Sequence, residues 1–197
     1  MKPSRRACLL VGTLAIVASP APGQIGVLQF GGVGSYGTGE PFGAGGSLVA
    51  GVAAGRIAYI GLRWTYHTGS TQLLGPAASP TEVTTRGQVF AMDLGVQIPV
   101  GRLEVVPSLS VGFVRFRQRA RAPAAGGGST VTAEHETEFL AAPGVSVSMP
   151  VGPLALIPEL QYNFAGSPSN LPWRVPHRGL LASLRLVITF EVGRIRQ

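Results

Sequence analysis

Six stretches of about eleven residues alternate apolar and polar side chains, the period of a β-strand whose two faces meet different surroundings. Over 56–67, Ala58, Ile60, Leu62, Trp64 and Tyr66 share one face and Arg63, Thr65 and His67 the other. Over 88–98, Phe90, Met92, Leu94, Val96 and Ile98 oppose Ala91, Asp93, Gly95 and Gln97. The same division recurs over 103–113, 139–149, 154–164 and 180–190. Two glycine-rich strands, 27–36 and 43–54, precede them and bring the total to eight. Tight turns at Gly55-Arg56, Gly101-Arg102 and Gly152-Pro153 link some of these strands. Longer connections at 37–42, 69–86, 117–134 and 166–177 link the others. Short turns at one end and long loops at the other predict an all-β, eight-stranded, antiparallel up-and-down barrel.

Alternation does not say which face is outside, and composition decides it. Charged residues make up 13% of the chain, against about a quarter in soluble domains. The polar faces are mostly Ser, Gly, Ala, Asn and Gln, too poor in charge for a soluble exterior but small enough for a narrow lumen. The apolar faces therefore point to lipid, and the barrel is read as transmembrane. Closure makes that possible, because every backbone N–H and C=O pairs with a neighbouring strand. A lipocalin-like soluble barrel, with the faces exchanged, is the opposing reading. Aromatic residues Trp64, Tyr66, Phe90, Phe113, Phe139, Tyr162 and Phe164 gather near the long-loop ends, as in an interfacial girdle. Pro107, Pro143 and Pro158 fall within strands, on the lipid-facing side, and call for bulges or unpaired N–H positions.

The first 23 residues read as a secretory signal peptide. Lys2, Arg5 and Arg6 precede an apolar run from Cys8 to Ala18, and Ser19-Pro-Ala-Pro-Gly23 supplies small residues for cleavage near Gly23 or Gln24. The run is too short to span a bilayer as a helix. Residues 24–197 then form one domain. They contain no cysteine and no lysine, with thirteen arginines against nine acids. No disulfide framework or thiolate metal site is possible, and no cofactor is expected. No lysine-rich stripe or aromatic-basic motif supports nucleic-acid binding.

The signal peptide, the glycine turns and the terminal strand Leu180 to Phe190 together resemble the small outer-membrane barrels of the OmpA/OmpX type. The resemblance covers the whole mature chain and is architectural. It implies insertion in the outer membrane of a Gram-negative-type bacterium by the outer-membrane assembly machinery, as a monomer among lipid and lipopolysaccharide. One departure concerns the terminus, where Phe190 is followed by seven further residues instead of ending the chain. No peptidoglycan-binding domain is expected after the barrel.

Three groups of residues are candidates for function. By parity Arg63, Asp93, Glu104, Glu138, Glu159, Arg185 and Glu191 point into the lumen. They would form a salt-bridged plug or, in the transport alternative, line a narrow pore for ions or small solutes. Five carboxylates against two arginines call for water or a raised carboxyl pKa. Arg115, Arg117, Arg119 and Arg121 continue the outward parity past Phe113, to the height of lipopolysaccharide phosphates. Finally, His67 with Ser70, or His135 with Glu136 or Glu138, imitates the groups of a lipid A-modifying hydrolase, though no nucleophile motif accompanies them. No catalytic residue is assigned. The expected role is structural or surface-interacting.

Overall fold

A computed structural model describes residues 26–38, 41–54, 57–124 and 128–192. The proposed signal peptide and the turn at Gly55-Arg56 lie outside these residues. Within them the chain forms nine antiparallel segments: β1 (Gly26–Gly37), β2 (Gly45–Ala54), β3 (Ala58–Leu74), β4 (Thr81–Val96), β5 (Ile98–Val100), β6 (Leu103–Pro123), β7 (Ser129–Val151), β8 (Leu154–Ala165) and β9 (Arg178–Val192). Segments β4 and β5 are one stave interrupted at Gln97, since both pair with β6. The barrel thus has eight staves. It closes on itself, with β1 paired to β9 and β4 paired to β6.

Neighbours in the ring are neighbours in sequence or its two ends, the simplest antiparallel topology. The turns at Gly101 and Gly152 have φ of 65° and 64°, a left-handed conformation that glycine adopts without the clash of a Cβ. The three strand prolines do not bulge the sheet. The β7–β8 register runs unchanged from Leu140–Ala165 to Val151–Leu154, but rungs are missing opposite Pro143 and Pro158. Each of these prolines weakens the ladder without slipping it.

The outer surface between the turns and the girdle is apolar. Leu62 is 67% exposed, Phe90 55% and Phe113 59%, while their strand neighbours Arg63, Ala91 and Val114 are buried. Trp64, Phe90, Phe113 and Phe139 stand on adjacent rungs across β3, β4, β6 and β7. Edge contacts at 6.3 Å between Phe113 and Phe139, and tilted ones at 6.5 Å between Trp64 and Phe90, join them in pairs. Tyr162 and Phe164 pack together at 4.6 Å on β8, and Tyr66 sits one rung above Trp64.

The strands differ from the expected lengths at one end. Residues 69–86 and 117–134, expected as loops, are mostly strand. The β3–β4 ladder continues past a bulge at His67/Ser70 to Leu74–Thr81, and β6–β7 continues to Pro123–Ser129. A membrane crossing needs about 9–11 residues, whereas β6 and β7 have 21 and 23. From Phe113 to Pro123 the wall rises roughly 33 Å along the strand beyond the girdle. Adjacent staves β3, β4, β6 and β7 share this extension, so one side of the barrel stands high and the other ends low.

On the extension the alternation persists but its polarity reverses. Val114, Phe116 and Ala120 face inward and are buried, while Arg115, Arg117 and Arg119 face out. Two connections fold in to cover these residues. Phe42, from the β1–β2 connection, and Val175, from the β8–β9 connection, join Val89, Ala91, Val114, Phe116 and Leu140 in an apolar cluster that roofs the lumen. Gln118 anchors the second connection, donating to the Trp173 carbonyl at 3.0 Å and accepting from its N–H at 3.3 Å. On the rung of Phe116, Glu136 accepts from the Asn170 N–H at 2.9 Å, from its side-chain amide at 2.9 Å, and from the Ser169 hydroxyl at 3.3 Å. Burial alone would raise the Glu136 pKa, but these hydrogen bonds outweigh it and hold the carboxyl below its ordinary value.

Candidate functional site

The lumen below this roof is crossed by a polar cluster. Arg63 on β3 donates from Nε and Nη2 to Asp93 Oδ2 on β4, at 3.0 and 2.7 Å. The same guanidinium donates from Nη1 and Nη2 to Glu159 on β8, both at 2.9 Å, and from Nη1 to Gln161 Oε1 at 2.9 Å. Arg185 on β9 donates to Glu159 from Nε at 3.1 Å and from Nη2, and lies 3.6 Å from Asp93. Ser110 on β6 donates to Asp93 at 2.6 Å, Gln161 donates to Ser110 at 2.8 Å, and Ser183 donates to Glu159 at 2.9 Å.

Two cations and two anions balance, so no net charge is buried here. The partners lie on β3, β4 and β6 at one side of the ring and on β8 and β9 at the other, and the cluster braces the barrel across its width. Arg63, Asp93, Glu159 and Arg185 are each at most 5% exposed. Interior cavities beside the cluster measure about 10 and 20 Å³, space for one water or so each. An apolar group, Val33, Val49, Ala155, Ile157 and Val187, fills the lumen along β1, β2, β8 and β9. Tyr59 also points inward, and its ring covers Gly51 and Gly61. A Cβ on Gly51 would stand 2.6 Å from that ring, so both glycines make room for it.

Four of the seven proposed lumen residues therefore meet. Glu104 lies at the short-turn end, opposite Pro99 and Ser148, and Glu138 lies against Gly166 under the β8–β9 connection. Neither reaches the cluster, so the carboxylate excess inferred from parity does not exist within it. The Glu191 side chain falls outside the described residues. Parity could not identify Ser110, Gln161 and Ser183 as members, because it gives a face and not a height around a tilted barrel.

The four arginines project outward as one ladder. Arg115 is paired with Gln88, Arg117 with Arg86, Arg119 with Thr84 and Arg121 with Glu82. Arg86 is a fifth member that the sequence pattern, which reads 69–86 as a loop, does not orient. The histidine groupings are not assembled. His67 is buried in the lumen wall with its ring 5.5 Å from Phe42, and no hydrogen bond joins it to Ser70. His135 pairs with Arg117 on the outer face, whereas Glu136 and Glu138 alternate onto the inner one.

A closed barrel with an apolar belt, an aromatic girdle and a charge-balanced polar interior is built for a lipid bilayer, and its fold is that of the small outer-membrane β-barrels. A solved structure agrees on the fold. A major outer membrane protein from Thermus thermophilus superposes with a TM-score of 0.66 at 15% identity, over 84% of this chain and 99% of that one. Neisserial surface protein A (TM-score 0.46, 14% identity, 85% and 97% covered) is also similar. So is Ail, the attachment invasion locus protein of Yersinia pestis (0.47, 8%, 85% and 99%). No protein-family model and no curated protein matches the sequence.

Proposed function

We propose that this chain is a non-conducting outer-membrane barrel with a structural and surface-interacting role. Its lumen is plugged by the Arg63–Asp93–Glu159–Arg185 network, and its arginine ladder rests against lipopolysaccharide. The observation that carries this reading is the charge-balanced, buried cluster spanning the barrel. An ion entering it would have to break hydrogen bonds that compensate four buried charges, and unpaired charges in such a place cost several kcal/mol. A pore needs the opposite arrangement, sites weak enough to leave. The high wall of β3, β4, β6 and β7 supplies the surface that an exterior partner would meet.

The test is conductance of the refolded full chain in planar bilayers. The unmodified protein should show no steady single-channel current. The double variant Arg63→Ala/Asp93→Ala, which removes one balanced pair, should show intermittent openings. Steady current from the unmodified chain would overturn the plug and support a narrow pore. The assembly pathway, monomeric state and absence of enzymatic activity belong to the same proposal. Fatty acid released from lipid A by the purified barrel would refute the last of these.

A further inference from the structure

Five arginines on one outer wall call for a counter-charge from outside the barrel. Arg86 and Arg117 are direct cross-strand partners, with Cβ atoms about 4.5–5.5 Å apart, where like charges are destabilising. Among the described residues no carboxylate forms an ion pair with Arg86, Arg115, Arg117 or Arg119. Glu82, across from Arg121, is the one acid among the described residues lining this surface. The arginines border two grooves. One of about 360 Å³ is lined by Tyr66, Arg86, Gln88, Arg115 and Arg117. The other, about 350 Å³, is lined by Glu82, Thr84, Arg86, Arg117, Arg119 and Arg121. Arg115 and Arg119 are four residues apart, roughly 13 Å along an extended strand. Two phosphates fit along that span, one at each groove.

The same strands carry an apolar groove directly beneath. It has a volume of about 760 Å³ and is bordered by Phe30, Leu48, Trp64, Phe90, Met92 and Phe113. The register stacks the two regions in order. The rung Leu62–Met92–Val111 is followed by Trp64–Phe90–Phe113, then Tyr66–Gln88–Arg115, and past the bulge by Arg86–Arg117. Going up the wall, the surface passes from aliphatic to aromatic to guanidinium within a few rungs. That is the order of chemistry along an anionic lipid, from acyl chain through the interface to phosphate.

We infer that the β3–β4–β6 wall is a discrete site for a single lipid carrying two phosphates, its acyl chain in the apolar groove and one phosphate in each arginine groove. The inference rests on the proposed contact between the arginine ladder and lipopolysaccharide and goes beyond it in assigning stoichiometry, phosphate number and acyl contact. The phosphates relieve the Arg86–Arg117 repulsion, and Arg86 and Arg117, common to both grooves, bridge them. A polysulfated polysaccharide could engage the arginines but has nothing to place in the apolar groove.

The experiment is native mass spectrometry of the refolded full chain in detergent, titrated with bis-phosphorylated lipid A, its monophosphorylated form, inorganic phosphate and heparin fragments. One lipid A should be retained per barrel. The monophosphorylated form should bind roughly tenfold more weakly, the loss expected on removing charge-assisted hydrogen bonds. Arg86→Gln/Arg117→Gln should weaken both forms, and Ala50→Trp, which fills the apolar groove, should weaken lipid A without altering the weak binding of inorganic phosphate. Equal retention of the two lipids would overturn the inference. So would displacement by heparin together with indifference to Ala50→Trp, which would make the ladder a polysaccharide site. Each sample is first checked for a heat-dependent shift on SDS gels. A wild-type chain with no shift would remove the membrane reading and this inference with it. A shifted chain that retains no lipid A removes the inference and the lipopolysaccharide contact on which it rests, whereas equal retention of the two lipids removes the inference alone.

Discussion

Replacing Glu159 by glutamine keeps the volume of the side chain and removes one charge from the centre of the lumen. Glu159 accepts hydrogen bonds from both Arg63 amino groups, from Arg185 Nε and Nη2 and from Ser183. In the variant the amide NH2 must face guanidinium donors, and two arginines are left with Asp93 alone. Breaking a buried pair by removing one partner typically costs about 3–5 kcal/mol, because the surviving charge stays buried. A cost of about 4 kcal/mol is about a 10³-fold fall in the folded-to-unfolded ratio. The assay is equilibrium urea unfolding in lipid vesicles, read by the heat-modifiable gel band and by tryptophan emission. Adding Arg185→Gln restores neutrality, leaving Arg63 with Asp93. The double variant should therefore be more stable than the sum of the two single losses predicts, by about 0.5–3 kcal/mol, the usual range for coupled neighbours. A single-variant cost below about 1 kcal/mol, with additive double-variant energetics, would mean that water screens the cluster. The plug would then be wrong.

Three further outcomes follow from the same geometry. Leu62→Arg puts a charge on the apolar belt and should cost about 2–4 kcal/mol of stability in vesicles; no cost would mean that this face does not meet hydrocarbon. Gly69→Ala should destabilise the barrel by about 1–2 kcal/mol, since φ is +72° and the added Cβ would run into the Thr85 carbonyl. Gly75→Ala (φ +96°), where a Cβ meets open space, should cost less in a parallel thermal melt. The Glu136 latch should depend on pH. Because its folded-state pKa is depressed, its contribution is complete above the 4.5 of a free glutamate and is lost as pH falls through the lower folded value. Protection of the amides in residues 166–177, taken relative to the intrinsic exchange rate at each pH, should fall on acidification, and Glu136→Ala should abolish that response while lowering protection at neutral pH.

Strand number, order and inward-facing residues were legible in the sequence between the turns and the girdle. There a single rule applies, apolar toward lipid and polar toward the lumen, and a side-chain period of two leaves no ambiguity of face. Arg63, Asp93, Glu159 and Arg185 could be placed inside on that ground alone. The upper wall was harder to see because the rule inverts. Past Phe113 the outer solvent becomes water, and Phe116 and Ala120 turn inward while Arg117 and Arg119 turn outward. A pattern scored for one polarity reads the inverted stretch as loop.

The period, the turns and the scarcity of charge are written in the order of the amino acids, and they fix a closed barrel with an apolar exterior, because local backbone chemistry and solvent partition act residue by residue. Which lumen charges meet was decided only in three dimensions. Strand tilt and register bring Arg63 to Glu159 and Arg185 to Asp93 across the barrel, and leave Glu104 and Glu138 at opposite ends. The Arg86–Arg117 juxtaposition, the inward fold of Phe42 and Val175, and the apolar groove under the arginine ladder have the same origin. They depend on contacts between segments far apart in the chain, and no local pattern encodes the height at which two such segments pass each other.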